Sequence, residues 1–240
     1  MNNRRTLIAA VVAGILILGA AGVGIVYFVV FAGSSPQKLA LSSPAPSTSA
    51  SASSSDSAAA AGTWTVTSGS LAGYRVREQL AAFAAPSDAV GRTSAITGTF
   101  ALTQATSGYT VGTAAFTVDV SKLTSDQSRR DQRIHSQGLE SDRYPTATFT
   151  LTSPIALTAD AASGQTIHVL ATGDLTIHGV TKSVTIPIAA QLTGSKIELV
   201  GSITFPFSQF GMTPPSIGGF VTVQSNATME FQLMLSRQGA

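Results

Sequence analysis

The chain has no cysteine. That removes a disulfide framework, a thiolate metal site, a cysteine nucleophile and a cysteine-linked lipid anchor. Charge is scarce as well: only 11% of the 240 residues are Asp, Glu, Lys or Arg. Before Gly62, Arg4, Arg5 and Lys38 face Asp56 alone, and the remainder of the chain carries equal numbers of basic and acidic residues. A folded part without net charge lacks the dense basic surface that phosphate neutralisation needs, so no nucleic-acid partner is expected. Aromatics are few, at 7%, yet 44% of the chain is apolar, too much for a wholly disordered polypeptide.

The apolar residues are concentrated first at the N-terminus. Leu7 to Ala32 is an uncharged run of 26 residues. As a helix it extends about 39 Å at roughly 1.5 Å per residue, enough to span a hydrocarbon core of about 30 Å with some tilt. A cleaved signal peptide has a much shorter apolar core, so residues 1–33 read as an uncleaved signal anchor. Arg4 and Arg5 place its N-terminus in the cytoplasm by the positive-inside bias, which puts everything beyond Gly33 outside the cell membrane. Residues 34–61 are rich in Ser, Ala and Pro and contain no aromatic residue. They cannot bury enough apolar surface to offset their ordering entropy and read as a disordered linker.

Residues 62–240 are long enough for one domain with a sizeable core. Their pattern has period two. Met229, Phe231, Leu233 and Leu235 alternate with polar residues, as do Val184, Ile186, Ile188, Ala190 and Leu192. Ala147, Phe149 and Leu151 alternate with threonines. The same spacing runs through Ile96, Gly98, Phe100 and Leu102, through Ala114, Phe116, Val118 and Val120, and through Leu175 and Ile177. Such segments are antiparallel strands with one dry and one wet face. Turn signals at Ser107-Gly108, Ser163-Gly164, His178-Gly179 and Gly194-Ser195 divide them into about eight to ten strands, as in a barrel or a sandwich. Thr124 and Gln127 fit a capping box opening a short surface helix that stops near Gly138.

Little here supports catalysis. His135, His168 and His178 are scattered, so neither a metal nor a cofactor is expected. No G-x-S-x-G elbow and no glycine-rich phosphate loop occurs. Glu140 and Asp142 are close in sequence but read as solvated loop residues. Arg129, Arg130, Asp131 and Arg133 form either a solvated helix face, the favoured reading, or a guard at a pocket mouth. The remaining candidate is the dry face. If the sheet closes, its interior is either filled by side chains or holds one small ligand, and the small residues Gly98, Ala114, Ala147 and Ala190 lower the fill.

Three segments together carry a resemblance. They are SRRDQRIHSQGLESDRYPTATFTLTS at 128–153, GDLTIHGVTKSVTIPI at 173–188, and FPFSQFGM at 205–212. They resemble the YceI-like family of lipocalin-like antiparallel barrels that bind polyisoprenoids. Arg130-Asp131, Tyr144-Pro145, Gly173 through Val184 and Phe210-Gly211 match its pattern. Two positions depart from it. The early Val-Arg-His strand is replaced by Tyr74-Arg75-Val76-Arg77-Glu78, and the late Arg-x-Asp-Phe-Gly by Phe207-Ser208-Gln209-Phe210-Gly211. The resemblance implies an all-β, antiparallel up-and-down barrel of about eight strands with a short helix. It further implies a non-catalytic binding protein for an isoprenoid or another long-chain apolar lipid, held at the membrane by its N-terminal helix. The bulky residues of the dry face are then the expected ligand contacts: Phe100, Phe116, Phe149, Leu151, Leu175, Ile177, Val184, Ile186, Phe231 and Leu233. The rival readings are an envelope interaction module with a filled core and, less favoured, a hydrolase.

Overall fold

The computed structural model describes residues 35–42, 60–80, 86–215 and 221–237. The expected membrane segment 1–33 and most of the expected linker 34–61 lie outside them. Among the described residues no helix is long and apolar enough to cross a membrane. The chain divides into two compact units, Met1–Pro36 and Gln37–Ala240; of the first, only Ser35 and Pro36 are described, and everything below lies in the second.

The alternating segments form eleven strands of one antiparallel sheet: β1 (Gly62–Val66), β2 (Leu71–Leu80), β3 (Ser87–Thr93), β4 (Ile96–Ala105), β5 (Gly108–Asp119), β6 (Thr146–Leu151), β7 (Ile155–Thr158), β8 (Ile167–Ile177), β9 (Val180–Thr193), β10 (Lys196–Pro206) and β11 (Val221–Arg237). Three pairs of consecutive strands are single staves broken in two. β1 and β2 lie end to end along β11, β3 and β4 along β2 and β1, and β6 and β7 along β5. Counted as staves there are eight, each paired with its neighbour in sequence, and β11 closes on β1 and β2. The expected up-and-down barrel of about eight strands is therefore present.

Each break has a local cause. Between β1 and β2 the chain turns through Gly69, at φ 91°, and Ser70 Oγ accepts the Met234 N–H at 2.9 Å in place of the missing ladder bond. Between β3 and β4, Thr93 Oγ1 accepts the Ala95 N–H at 3.0 Å. Between β6 and β7 sits Pro154, which has no N–H to give to a ladder.

One bulge alters what the sequence implies. Ala101 pairs with Thr113 but Leu102 pairs with Val111, so Gly112 is an extra residue in β5. The inward parity switches there: Ala114 and Phe116 face inward on one side, Val111 and Tyr109 on the other.

The expected helix is present but opens later than its capping box. α1 spans Ser128–Arg133 and then widens into a π turn over Ile134–Gly138. Gln127 is its N-cap and makes no side-chain capping bond. The box does not close because Thr124 N donates to Arg92 O at 3.1 Å and Gln127 N to Ser125 Oγ at 3.2 Å; Asp131 in turn accepts from Ser125 N at 3.0 Å and Ser125 Oγ at 2.6 Å.

Part of the expected linker is in contact with the barrel. Ser42 donates from its backbone N (2.9 Å) and its hydroxyl (3.1 Å) to Glu198 Oε1, and Gln232 Nε2 donates to Ala40 O at 3.1 Å. The Arg92 guanidinium donates to Gln37 O. Residues 37–42 thus lie along the outer face of β10 and β11, where the sequence suggested no ordered contact.

Candidate ligand-binding lumen

The interior holds two buried clusters. One includes Trp64, Phe100, Leu102, Tyr109 and Leu235; the other includes Leu175, Ile177, Ile186, Phe205, Phe207 and Phe210. Trp64 anchors the first, stacked on Phe100 at 6.3 Å and donating from Nε1 to Ala60 O at 2.9 Å. Val118, Ile188 and Phe231 touch both clusters yet are only half-buried. Phe116, Phe149 and Met229 likewise face inward and are half-buried. An inward side chain keeps accessible surface only where the space in front of it is empty.

That space is a file of three cavities. The cavity at the α1 end is about 120 Å³, the middle one about 90 Å³, and the one toward Trp64 about 100 Å³. Ala72, Val118, Ala147 and Met229 are walls common to the first two; Phe116, Phe149, Ile188 and Leu199 are common to the middle and the last. Together they approach the lower end, roughly 300 Å³, of the range for small-molecule sites. Their lining is almost wholly apolar.

Nine of the ten expected contact residues line these cavities. Phe116 and Phe149 face both the middle cavity and the one toward Trp64; Leu175, Ile186, Phe231 and Leu233 face the middle one. Phe100 and Leu151 line the cavity toward Trp64, and Ile177 the one at the α1 end. Val184 is the exception: it is buried in the cluster around Phe207 and Phe210 and lines none of the three.

The α1-end cavity contains polar groups that sequence pattern did not assign to a site. Arg130 Nη2 lies 3.2 Å from Glu78 Oε2, and both side chains, with Arg133, form part of the cavity wall. Burial works against the Arg130 charge, but the Glu78 and Asp126 carboxylates outweigh it and hold the guanidinium above its ordinary range. The arginine cluster is thus not one solvated face. Arg129 is exposed, whereas Arg130 and Arg133 are half-buried at the cavity. Beside them Tyr74 Oη is buried without a hydrogen-bond partner among the described residues. Burial pushes this phenol well above its usual value, against the opposing pull of Arg130. The signal that could have marked this site is Glu78, a carboxylate on the dry parity of β2.

The same end is closed by the segments that carry the resemblance. Phe205 and Phe210 meet edge to face at 4.8 Å, and Phe210 is fully buried. His178 occupies a two-residue turn between β8 and β9, at φ 54°, followed by Gly179 at φ 72°. Its Nε2 lies 3.0 Å from Glu140 Oε2, its Nδ1 3.3 Å from Phe210 O, and its ring 4.6 Å from that of Tyr144. His178 thus joins three segments rather than standing in a cavity. His135 is bonded to the buried Ser141 hydroxyl, and His168 is exposed on the outer wall. Among the described residues no three His, Asp or Glu side chains converge as metal ligands would.

A polyisoprenoid binding domain from Saccharophagus degradans implicated in plant cell wall breakdown is similar to this chain at a TM-score of 0.58 and 16% identity. The match covers 74% of this chain and 99% of that one. BcnA from Burkholderia cenocepacia matches at 0.49 and 19% identity, over 67% of this chain and 95% of its own. A YCEI protein from Campylobacter jejuni matches at 0.47 and 14%, over 62% and 84%. None of the curated proteins matches the chain. Identities this low speak to the fold alone. The sequence pattern of the YceI-like domain, however, matches residues 64–235, nearly the whole barrel, and the chain belongs to that family.

Proposed function

We propose that the protein is a membrane-anchored, extracytoplasmic carrier that sequesters or transfers an isoprenoid or a similar long-chain apolar lipid without chemical change. The observation that carries this reading is the file of three apolar cavities sharing walls along the barrel. A flexible chain can thread such a file where a globular ligand cannot. Burying it stabilises the complex by about 25 cal/mol per Å² of apolar area before ordering costs are subtracted. The polyisoprenoid binding named for the Saccharophagus degradans domain supports the same ligand class. The uncharged run Leu7–Ala32, with Arg4 and Arg5 before it, supports the anchor and the outward barrel.

The test compares organic extracts of the purified full chain and a Phe231→Asp variant, both from one bacterial host. The native chain is expected to yield a prenyl or acyl lipid in stoichiometric amount that the folded variant lacks. Equal lipid in both would overturn the lumen as the site. No lipid in either, even after incubation with membranes, would favour a packed-core interaction module instead.

A further inference from the structure

Four inward aromatic rings lie against four glycines of neighbouring strands. The Phe231 ring covers Gly201, Phe149 covers Gly173, Phe116 covers Gly98 and Tyr74 covers Gly91. In each case the ring fills the space where a side chain would begin. A Cβ at Gly201 would stand 2.4 Å from Phe231 Cζ, and one at Gly91 would stand 2.3 Å from Tyr74 Cε1. At Gly173 and Gly98 the nearest ring atoms would be 2.5 Å away. Three of the pairs are cross-strand partners in register: Gly201 with Phe231, Gly98 with Phe116, and Gly91 with Tyr74. A phenylalanine whose ring rests on the wall leaves the barrel axis free; one standing off the wall plugs it.

We propose that these ring-over-glycine pairs set the bore of the lumen and select a single linear prenyl or acyl chain against fused-ring lipids such as sterols. The inference rests on the lipid-binding reading above and adds what determines its selectivity. Phe116, Phe149 and Phe231 all face the middle cavity, which has the smallest volume of the three at about 90 Å³. It lies between the other two, so the rings control passage along the whole file. Seated against the glycines, the rings leave a small passage that a flexible chain can follow and a rigid polycycle cannot. The glycines therefore contribute to specificity through the rings they let down.

Gly201 is the position at which to test this. A Cβ there meets first the far end of the Phe231 ring, with the nearest backbone atom, Pro187 O, at 3.0 Å. At Gly173 and Gly98 it would also meet a backbone oxygen at 2.4 Å, which would distort the strands. The full chain in phosphatidylcholine nanodiscs is titrated with geranylgeraniol, with cholesterol as competitor, and folding is followed by thermal melting. The native chain is expected to bind geranylgeraniol and to ignore cholesterol. Gly201→Ala should weaken geranylgeraniol binding about ten- to hundredfold, the cost of overpacking a filled space. Gly201→Ala combined with Phe231→Leu should restore it. Phe231→Leu alone should let cholesterol compete, which keeps the test decisive if Gly201→Ala does not fold. A folded Gly201→Ala chain that binds as the native one does, or cholesterol competing with the native chain, would overturn the inference and leave lipid binding intact. A native chain that takes up no geranylgeraniol or any other linear lipid would instead sink the lipid-binding reading, and this inference with it.

Discussion

On the outer wall of the barrel, Arg92 Nη2 stands 2.8 Å from Glu230 Oε1. Arg75 Nε reaches the other oxygen of that carboxylate at 3.4 Å. Glu230 is only 3% exposed although it faces away from the lumen. Gly73 makes this possible: it lies between the two in register, and a Cβ there would stand 2.9 Å from Arg92 Cγ. Removing the carboxylate strands two cations, of which Arg75 keeps Asp88 at 3.1 Å and Arg92 keeps some solvent. Glu230→Ala should therefore cost about 3 kcal/mol, the lower end for a broken buried pair. The expected loss in melting temperature is roughly 6–12 °C for a domain of this size. A drop of under two degrees would show that the pair contributes little.

The strands were legible because period two is a local signal. The inward set Met229, Phe231, Leu233 and Leu235 stands where alternation placed it. The barrel count was legible in part: the six alternating stretches fall on six of the eight staves, and the turn signals between them allowed about eight to ten strands. What escaped depends on contacts far apart in sequence. Tyr109 and Val111 face inward only because Gly112 is an extra residue opposite Ala101 and Leu102. Arg130 reaches the lumen because it pairs with Glu78, 52 residues earlier. Of the four glycines, Gly98 alone was legible as a small dry-face residue, and none as a seat for a ring, because that needs the neighbouring strand in register. The capping box failed because both of its backbone N–H groups are taken elsewhere, that of Thr124 by Arg92 O on β3 and that of Gln127 by the Ser125 hydroxyl.

The outer contact of residues 37–42 can be tested through Lys38, which is a tryptic site on an exposed side chain. Glu198 accepts from Ser42 twice and from Gln232 Nε2 at 2.6 Å. Glu198→Ala removes the acceptor that holds the end of this segment. Each of the two lost Ser42 bonds is worth about 1 kcal/mol, so cleavage after Lys38 should speed up by up to about thirtyfold while the barrel's melting temperature barely moves. Equal cleavage rates in the two chains would mean that these bonds do not hold the segment to the wall.

Tyr74 gives a pH dependence whose sign follows from its burial. Desolvation raises the phenol above its ordinary value in the folded chain, while in the unfolded chain it ionises near pH 10. Below that pH both states keep the proton and the contribution is constant. Above it the unfolded chain gives up a proton that the folded chain retains, so stability falls by up to about 1.4 kcal/mol per pH unit. Lysines titrate in the same window, so the informative quantity is the difference between the native chain and Tyr74→Phe. The variant should lose less of its melting temperature between pH 8 and about pH 11. At neutral pH it should be as stable as the native chain or slightly more so. Among the described residues the Tyr74 hydroxyl makes no well-formed hydrogen bond, the pull of the Ser125 side chain being the smallest of the influences on it, and deleting such a buried group relieves a desolvation cost. A Tyr74→Phe chain that melts several degrees lower at pH 7 would mean that the hydroxyl holds a stabilising bond, to the Ser125 side chain that already draws its value down.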